Sequence, residues 1–230
     1  MKDTSPFYVQ LHMHTSESSR CGVSDGREMA RACKAAGYGL IVITDHFLNA
    51  NTTCTPDMSW PEKVDRLFAG YRAARAEGEK IGLTVLKGWE TFTSGPEYLT
   101  YGLDERFLLQ HPDICALAPR EYLDLIHAAG GYVIHAHPYR QAPYIPYFVP
   151  DMENVDACEV LNAHHTDPSF DERALRDARA HHKIETAGSD AHHVSQVRGG
   201  AMRFDGPIST MDQLIAALRG GKGRIVPLLT

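Results

Sequence analysis

The sequence has no long apolar run. Its longest, from Gly39 to Ile43, falls far short of the roughly 20 residues a bilayer-spanning helix requires. The N-terminal stretch MKDTSPFYVQLH also has no apolar core of the kind a secretory leader carries. Neither membrane insertion nor export is expected. Cysteine is sparse and unpatterned: Cys21, Cys33, Cys54, Cys115 and Cys158 are odd in number and form no CxxC pair. This argues against a disulfide framework and a thiolate zinc site, and fits a reducing cytoplasm. There is no basic excess either. With 23 Lys and Arg against 29 Asp and Glu, the net charge is -6, so a long nucleic-acid footprint held through phosphates is disfavoured. No fixed-period repeat, low-complexity tract or linker interrupts the chain, and residues 1–230 read as one domain.

What the chain does have is histidine, 13 in 230 residues, and imidazole is both the commonest transition-metal ligand and a frequent acid or base. The hydrophobic fraction of 43% and charged fraction of 23% are ordinary for a folded protein. Short β-branched and aromatic runs alternate with segments of helical period, which is the signature of βα units around a parallel sheet. Strands are expected over Phe7 to Leu11, Leu40 to Thr44, Leu83 to Lys87, Tyr132 to Ala136, Ala157 to Leu161, Glu185 to Ala187 and Arg224 to Pro227. Helices are expected over Ser24 to Ala36 with Ser24 as N-cap, Pro61 to Gly78, Pro119 to Ala129, Asp171 to His181 and Met211 to Leu218. The irregular stretches Phe47 to Trp60 and Gln141 to Pro150 are long enough to act as lids.

Polar groups of metal-ligand type recur where these strands end. His12-Met13-His14 closes the first, and residues two apart on a strand share a face. The second ends Thr44-Asp45-His46, where Asp45 is placed to orient an imidazole. The third ends Gly88-Trp89-Glu90. The fourth carries His135-Ala136-His137-Pro138, in which His137 lies at the very end and His135 is read as packing one layer deeper. The sixth is followed by Ser189-Asp190-Ala191-His192-His193. Barrel enzymes place their catalytic groups at the C-terminal ends of the strands. The donors are nitrogen and oxygen, and outnumber what one ion needs, so the set implies two or three divalent ions such as zinc, manganese or iron.

In order, HMHTSESS, ITDH, GWE, HAHP, EVLN and GSDAH resemble the motifs of the polymerase and histidinol phosphatase (PHP) family, from Val9 to Phe204. The resemblance implies an α/β fold, a distorted TIM-like barrel of seven βα units, a two- or three-metal cluster, and hydrolysis of a phosphomonoester or small phosphodiester. Carried over by motif, it gives His12, His14, His46, Glu90, His137, Asp190 and His192 as metal ligands, with Glu90 bridging. Glu159 and Asn162 fall near the cavity floor. Two family positions depart: Ser19 and Arg20 stand where many members have a histidine or aspartate, and Glu97 to Tyr101 contains no histidine, with Glu97 only a weak substitute.

On this reading a metal-bridging hydroxide attacks the phosphorus of a small phosphorylated metabolite. Arg20, Arg140 and Arg198 are the candidate phosphate-binding groups, and Asp190 and His193 the candidate catalytic residues, His193 as the acid that assists the leaving group. The alternatives are an amide or ester hydrolase on the same scaffold, a proofreading-like nuclease, and a catalytically degenerate metal-binding interaction module.

Overall fold

A computed structural model describes residues 5–230; residues 1–4, which open both the MKDTSPFYVQLH stretch and the domain read over 1–230, lie outside the described residues. The elements are β1 (Pro6–Gln10), α1 (Gly26–Ala35), β2 (Tyr38–Ile43), α2 (Trp60–Leu67), α3 (Ala69–Ile81), β3 (Thr84–Phe92), β4 (Glu97–Tyr101), α4 (Glu105–Gln110), α5 (Pro119–Ala128), β5 (Tyr132–Ala136), β6 (Ala157–Asn162), α6 (Pro168–Ala180), β7 (Ile184–Gly188), β8 (Gly199–Asp205), α7 (Met211–Arg219) and β9 (Arg224–Leu228).

The strands form one sheet in the order β7-β6-β5-β4-β3-β2-β1-β8-β9. Beyond β7 and β1 it nearly closes into a barrel: Met13 bridges Ala191 in parallel, with Asp190 N–H donating to His12 O and His14 N–H to Ala191 O, both at 2.9 Å. The architecture is thus TIM-like, but its sheet has nine strands rather than the seven of the expected units. The two additions, β4 and β8, run antiparallel to their neighbours, and each follows the preceding strand without an α-helix between. A reading built on strand and helix alternation passes over both.

Side-chain alternation organises the core. Leu40 and Val42 pack with Val9, Leu11, Leu99 and Ile134 in one cluster, against which α7 sets Leu214, Ile215 and Leu218. Ile41 and Ile43 face the other way, onto Met29 and Cys33 of α1 and Ala74 of α3. β1 departs from strict alternation at its end: Val9 and Leu11 lie in the first cluster, Met13 in the second. The cause is Gln10, whose Oε1 accepts from both Leu11 N (3.0 Å) and His12 N (3.2 Å) and so turns the chain there.

Two helix boundaries differ from expectation. The N-cap of α1 is Asp25, not Ser24; Asp25 Oδ1 accepts from Glu28 N at 2.8 Å while Glu28 Oε2 accepts from Asp25 N at 3.0 Å, a reciprocal capping box. The single helix expected over Pro61 to Gly78 is two, broken at Phe68. The break buries Phe68 edge-on to Trp89 (ring centroids 6.2 Å apart) and seats Gly70 on the loop after β1, where a Cβ would overlap the Thr15 hydroxyl.

Candidate metal centre

Five imidazoles and three carboxylates from six strand ends meet in one buried cluster. Glu90 is its hub. Its Oε1 lies 3.2 Å from His12 Nε2 and 3.0 Å from His137 Nε2, and its Oε2 lies 2.9 Å from His46 Nδ1 and 3.5 Å from His14 Nε2. Asp190 Oδ1 stands 3.2 Å from His14 Nε2 and 3.5 Å from His12 Nε2. The Nε2 atoms of His12 and His14 are themselves only 3.2 Å apart. His192 completes the outer side, its ring stacked 4.4 Å from that of His14, with the His46 ring 4.2 Å from His14. All seven residues expected as ligands therefore converge, and they form overlapping groups of three whose donor atoms lie within 4.8 Å of one another.

The backbone is strained where it aims two of these groups. His137 has φ of 28° and Asp190 of 51°, conformations that cost a non-glycine residue on the order of 1–3 kcal/mol. Each is held by its surroundings: His137 N–H donates to Glu159 Oε2 at 3.0 Å, and the Asp190 carboxylate is gripped by Arg140 Nη2 at 2.5 Å. Gly188 is required just ahead of Asp190, because a Cβ there would overlap the Glu159 carboxylate and crowd the Cβ of His12.

A second layer fixes the imidazoles so that their free nitrogens face inward, as metal-ligating histidines require. His12 Nδ1 donates to Glu159 Oε1 (3.0 Å), and His192 Nδ1 donates to the backbone oxygen of Asp190 (2.8 Å). Asp45 acts one step further out than expected. It accepts from Thr15 N and Oγ1 and from Ser19 Oγ, and the Ser19 hydroxyl in turn lies 3.3 Å from His14 Nδ1. Asn162 links Glu159, Arg140 and Asp190.

Electrostatics divide the cluster. Burial opposes protonation of His12, but Glu159, Asp190 and Glu90 together hold its pKa well above the ordinary imidazole value. Burial and the neighbouring His46 and His192 push His14 well below it. Burial and the nearby Glu90 raise Glu97 to about 8.

The donor set fits divalent cations. The His46 Nδ1 and Glu97 Oε2 atoms are buried with no hydrogen-bond partner among the described residues, although Nδ1 approaches Glu90 Oε2 to 2.9 Å and Glu97 Oε2 approaches His137 Nδ1 to 3.6 Å. Lone pairs that converge without hydrogen bonds are satisfied by a cation. Glu97, Glu90 and His46 form one of the candidate ligand groups, so the segment without histidine contributes a carboxylate.

The cluster opens into a cavity of about 820 Å³ whose walls include Arg140, His164, His193, Phe92 and Tyr144. Of the three arginines expected to bind phosphate, only Arg140 lies here, its side chain 15% exposed. Arg20 is exposed on the loop after His14, and Arg198 is exposed beside a neighbouring cleft with its guanidinium 3.4 Å from Leu229 O. His193 lines the cavity with its Nδ1 held by Ser195. His135 is fully buried against Tyr98 and Phe148 and belongs to none of the ligand groups.

One residue at the cluster was not anticipated. Cys21, in the loop after β1, lies 3.2 Å from His46 Nε2 and bonds also to His192. Burial alone would raise its pKa, yet the His192 and His46 contacts bring it down to about 6. Its only sequence signal is its position, next to Ser19 and Arg20, where the family motif is departed from.

Residues 168–222 match the family profile PHP_C, described as PHP-associated. Among solved structures, the fold resembles a two-domain protein of Bacteroides vulgatus containing a predicted PHP-like metal-dependent phosphoesterase. That match has a TM-score of 0.66 and 15% identity, over 97% of this chain and 65% of that one, so the chain spans about two thirds of that protein's length. A protein of Bifidobacterium adolescentis proposed to be a metal-dependent phosphoesterase matches at TM-score 0.61 and 17% identity, over 91% of this chain and 95% of that one. An amidohydrolase of Chromobacterium violaceum, with bound sulfate and no metal, matches at TM-score 0.58 and 16% identity, over 95% and 97%. No curated protein matches in sequence. The matched segment covers 55 of the 230 residues, and the solved structures show that the chain shares the barrel fold of PHP-like proteins.

Proposed function

We propose that the chain is a metal-dependent hydrolase that cleaves the phosphate ester of a small metabolite. The carrying observation is the convergence of His12, His14, His46, Glu90, His137, Asp190 and His192, from strands far apart in the chain, on one buried cluster at the floor of a cavity that Arg140 overlooks. Two or three divalent ions fit that donor set, with zinc, manganese and iron the candidates. When bound, such ions supply Lewis-acid polarisation and bring the pKa of water toward neutrality.

The chain's own groups do the rest. Arg140 keeps its charge in the buried rim and presents a guanidinium suited to non-bridging phosphoryl oxygens. His193, its Nδ1 engaged by Ser195, has Nε2 left to pass a proton to the departing oxygen. Glu159 and Asn162 hold His12, His137 and Asp190 in place.

The acyl-hydrolase reading draws on the Chromobacterium neighbour, an amidohydrolase. Yet the Arg140 guanidinium at the cavity suits the non-bridging oxygens of a phosphoryl group, which favours phosphorus over carbon here. The test is metal analysis of the purified protein, then a panel of phosphate esters, carboxylic esters and amides with and without chelator. Chelator-sensitive phosphate release supports the proposal; acyl cleavage alone, or phosphate release by metal-free protein, overturns it.

A further inference from the structure

The outer half of the cluster is unlike the inner. Around His12 and His137 the imidazoles are interleaved with Glu90, Glu159 and Asp190. His14, His46 and His192 instead form a group of three imidazoles, their donor nitrogens within 4.8 Å of one another, with Glu90 and Asp190 approaching from the inner side. On the cavity side the group that meets this trio is the thiol of Cys21, 3.2 Å from His46 Nε2 and in contact with His192, although its sulfur falls outside the donor groups whose atoms all lie within 4.8 Å. We propose that Cys21 is a metal ligand, completing with His46 and His192 an outer thiolate-imidazole site that selects zinc. The proposal rests on the metal-dependent hydrolase reading above.

Several features of the loop place the sulfur. Arg20 N–H donates to Asn51 O at 2.9 Å, Gly22 N–H to Ser19 O at 3.0 Å and Val23 N–H to His192 O at 2.8 Å, so residues 20 to 23 are pinned on both sides of Cys21. Gly22 lies against the backbone of Thr15, where a Cβ would come within 2.5 Å of its carbonyl. The loop therefore cannot relax outward without breaking the backbone link to His192 itself. The remaining cysteines do not compete: Cys33, Cys54 and Cys158 are buried, and Cys115 sits in the short turn Ile114–Ala116 against the α2 and α5 side of the core.

The chemical consequence is a difference in softness. Thiolate is a soft donor that favours zinc over manganese or magnesium, whereas the carboxylate-rich inner half accepts harder ions. A thiolate ligand is also open to oxidation when solvent reaches it, and Cys21 lines the cavity.

X-ray absorption at the zinc edge of the zinc-loaded protein reads the ligand directly, with a sulfur scatterer expected at about 2.3 Å. Cobalt-loaded protein should show near-ultraviolet sulfur-to-cobalt charge transfer. Cys21→Ser should lose both signals and one equivalent of zinc per chain, while Cys115→Ser keeps them. The wild-type measurement stands even if the Cys21 variant folds poorly. Zinc bound by nitrogen and oxygen alone would overturn the thiolate ligand and leave the hydrolase reading intact. A protein that binds no divalent metal would overturn both.

Discussion

Two strands of this protein end in the same three-residue pattern, His-x-His, and the two ends have different fates. At the end of β1 both imidazoles, His12 and His14, enter the cluster. On β5 only His137 does; His135 is buried beneath it against Tyr98 and Phe148. Spacing alone does not distinguish them. What does is the company each ring keeps. His12 has Glu90, Glu159 and Asp190 within 3.5 Å. His135 meets backbone oxygens instead, that of Ala136 3.3 Å from its Nδ1 and that of Glu97, and its Nε2 has no partner among the described residues. Carboxylates hold His12 far above the ordinary imidazole value, whereas burial lowers His135 to about 4. A histidine pair thus becomes a metal site only where acids from other strands arrive to meet it.

Substituting the first member of each pair is the sharpest way to break this comparison. His12→Gln should lower phosphate release by about 10³-fold and reduce metal content, because it removes a donor from two of the overlapping ligand groups. His135→Leu should leave metal content unchanged and activity within a few fold. Steady-state kinetics with metal analysis on both variants decides the matter. Equal losses in the two would mean that the β5 pair works as the β1 pair does.

The same contrast predicts a pH effect of the second rank. His135 stays neutral in the fold down to about pH 4, while the unfolded chain takes up a proton near 6.5. Between those values the unfolded state binds more protons, so this group contributes stability above pH 6.5 that is lost as pH falls toward 4. The full difference amounts to about 3 kcal/mol. Urea unfolding of chelator-treated protein at pH 7 and pH 4.5 should show a smaller acid loss in His135→Leu than in the wild type. Equal losses would show that His135 is not the neutral buried group described.

The strand-end motifs were legible in the sequence for a physical reason: parallel strands deliver their C-terminal residues to one end of a barrel, so HMH, ITDH, GWE, HAHP and GSDAH each announced a group at that end. The residues that were not legible reach the site by other routes. Glu97, legible only as a weak substitute for a missing histidine, comes from β4, which runs antiparallel and enters the site from its N-terminal end. β8 begins Gly199-Gly200, which reads as a turn; Gly200 is there because a Cβ at φ of 62° would strike the Gly188 carbonyl. Cys21 comes from a loop folded back by contacts to Asn51 and His192, partners 30 and 171 positions away along the chain. Arg20, its neighbour, was the plausible phosphate ligand by type and is exposed; one residue of loop geometry separates them.

Arg140 offers the finest test, because it joins the two halves of the comparison. It follows His137 on the loop after β5, where Arg140 N–H donates to His137 O at 3.0 Å, and its Nη2 reaches Asp190 after β7 and the Asn162 side chain at 3.1 Å. Arg140→Lys preserves the charge but loses the planar fork that spans Asp190, Asn162 and an incoming phosphoryl group. One charge-assisted hydrogen bond to the substrate is worth about 1.5–3 kcal/mol, so KM for a phosphate ester should rise at least about tenfold while metal content stays at the wild-type level. A fall in metal content instead would show that Arg140 serves chiefly to hold Asp190 in its strained conformation. In that case the phosphate-binding group must come from another cavity wall, where His164 and His193 are the candidates, since both line the same cavity as Arg140 and Asp190.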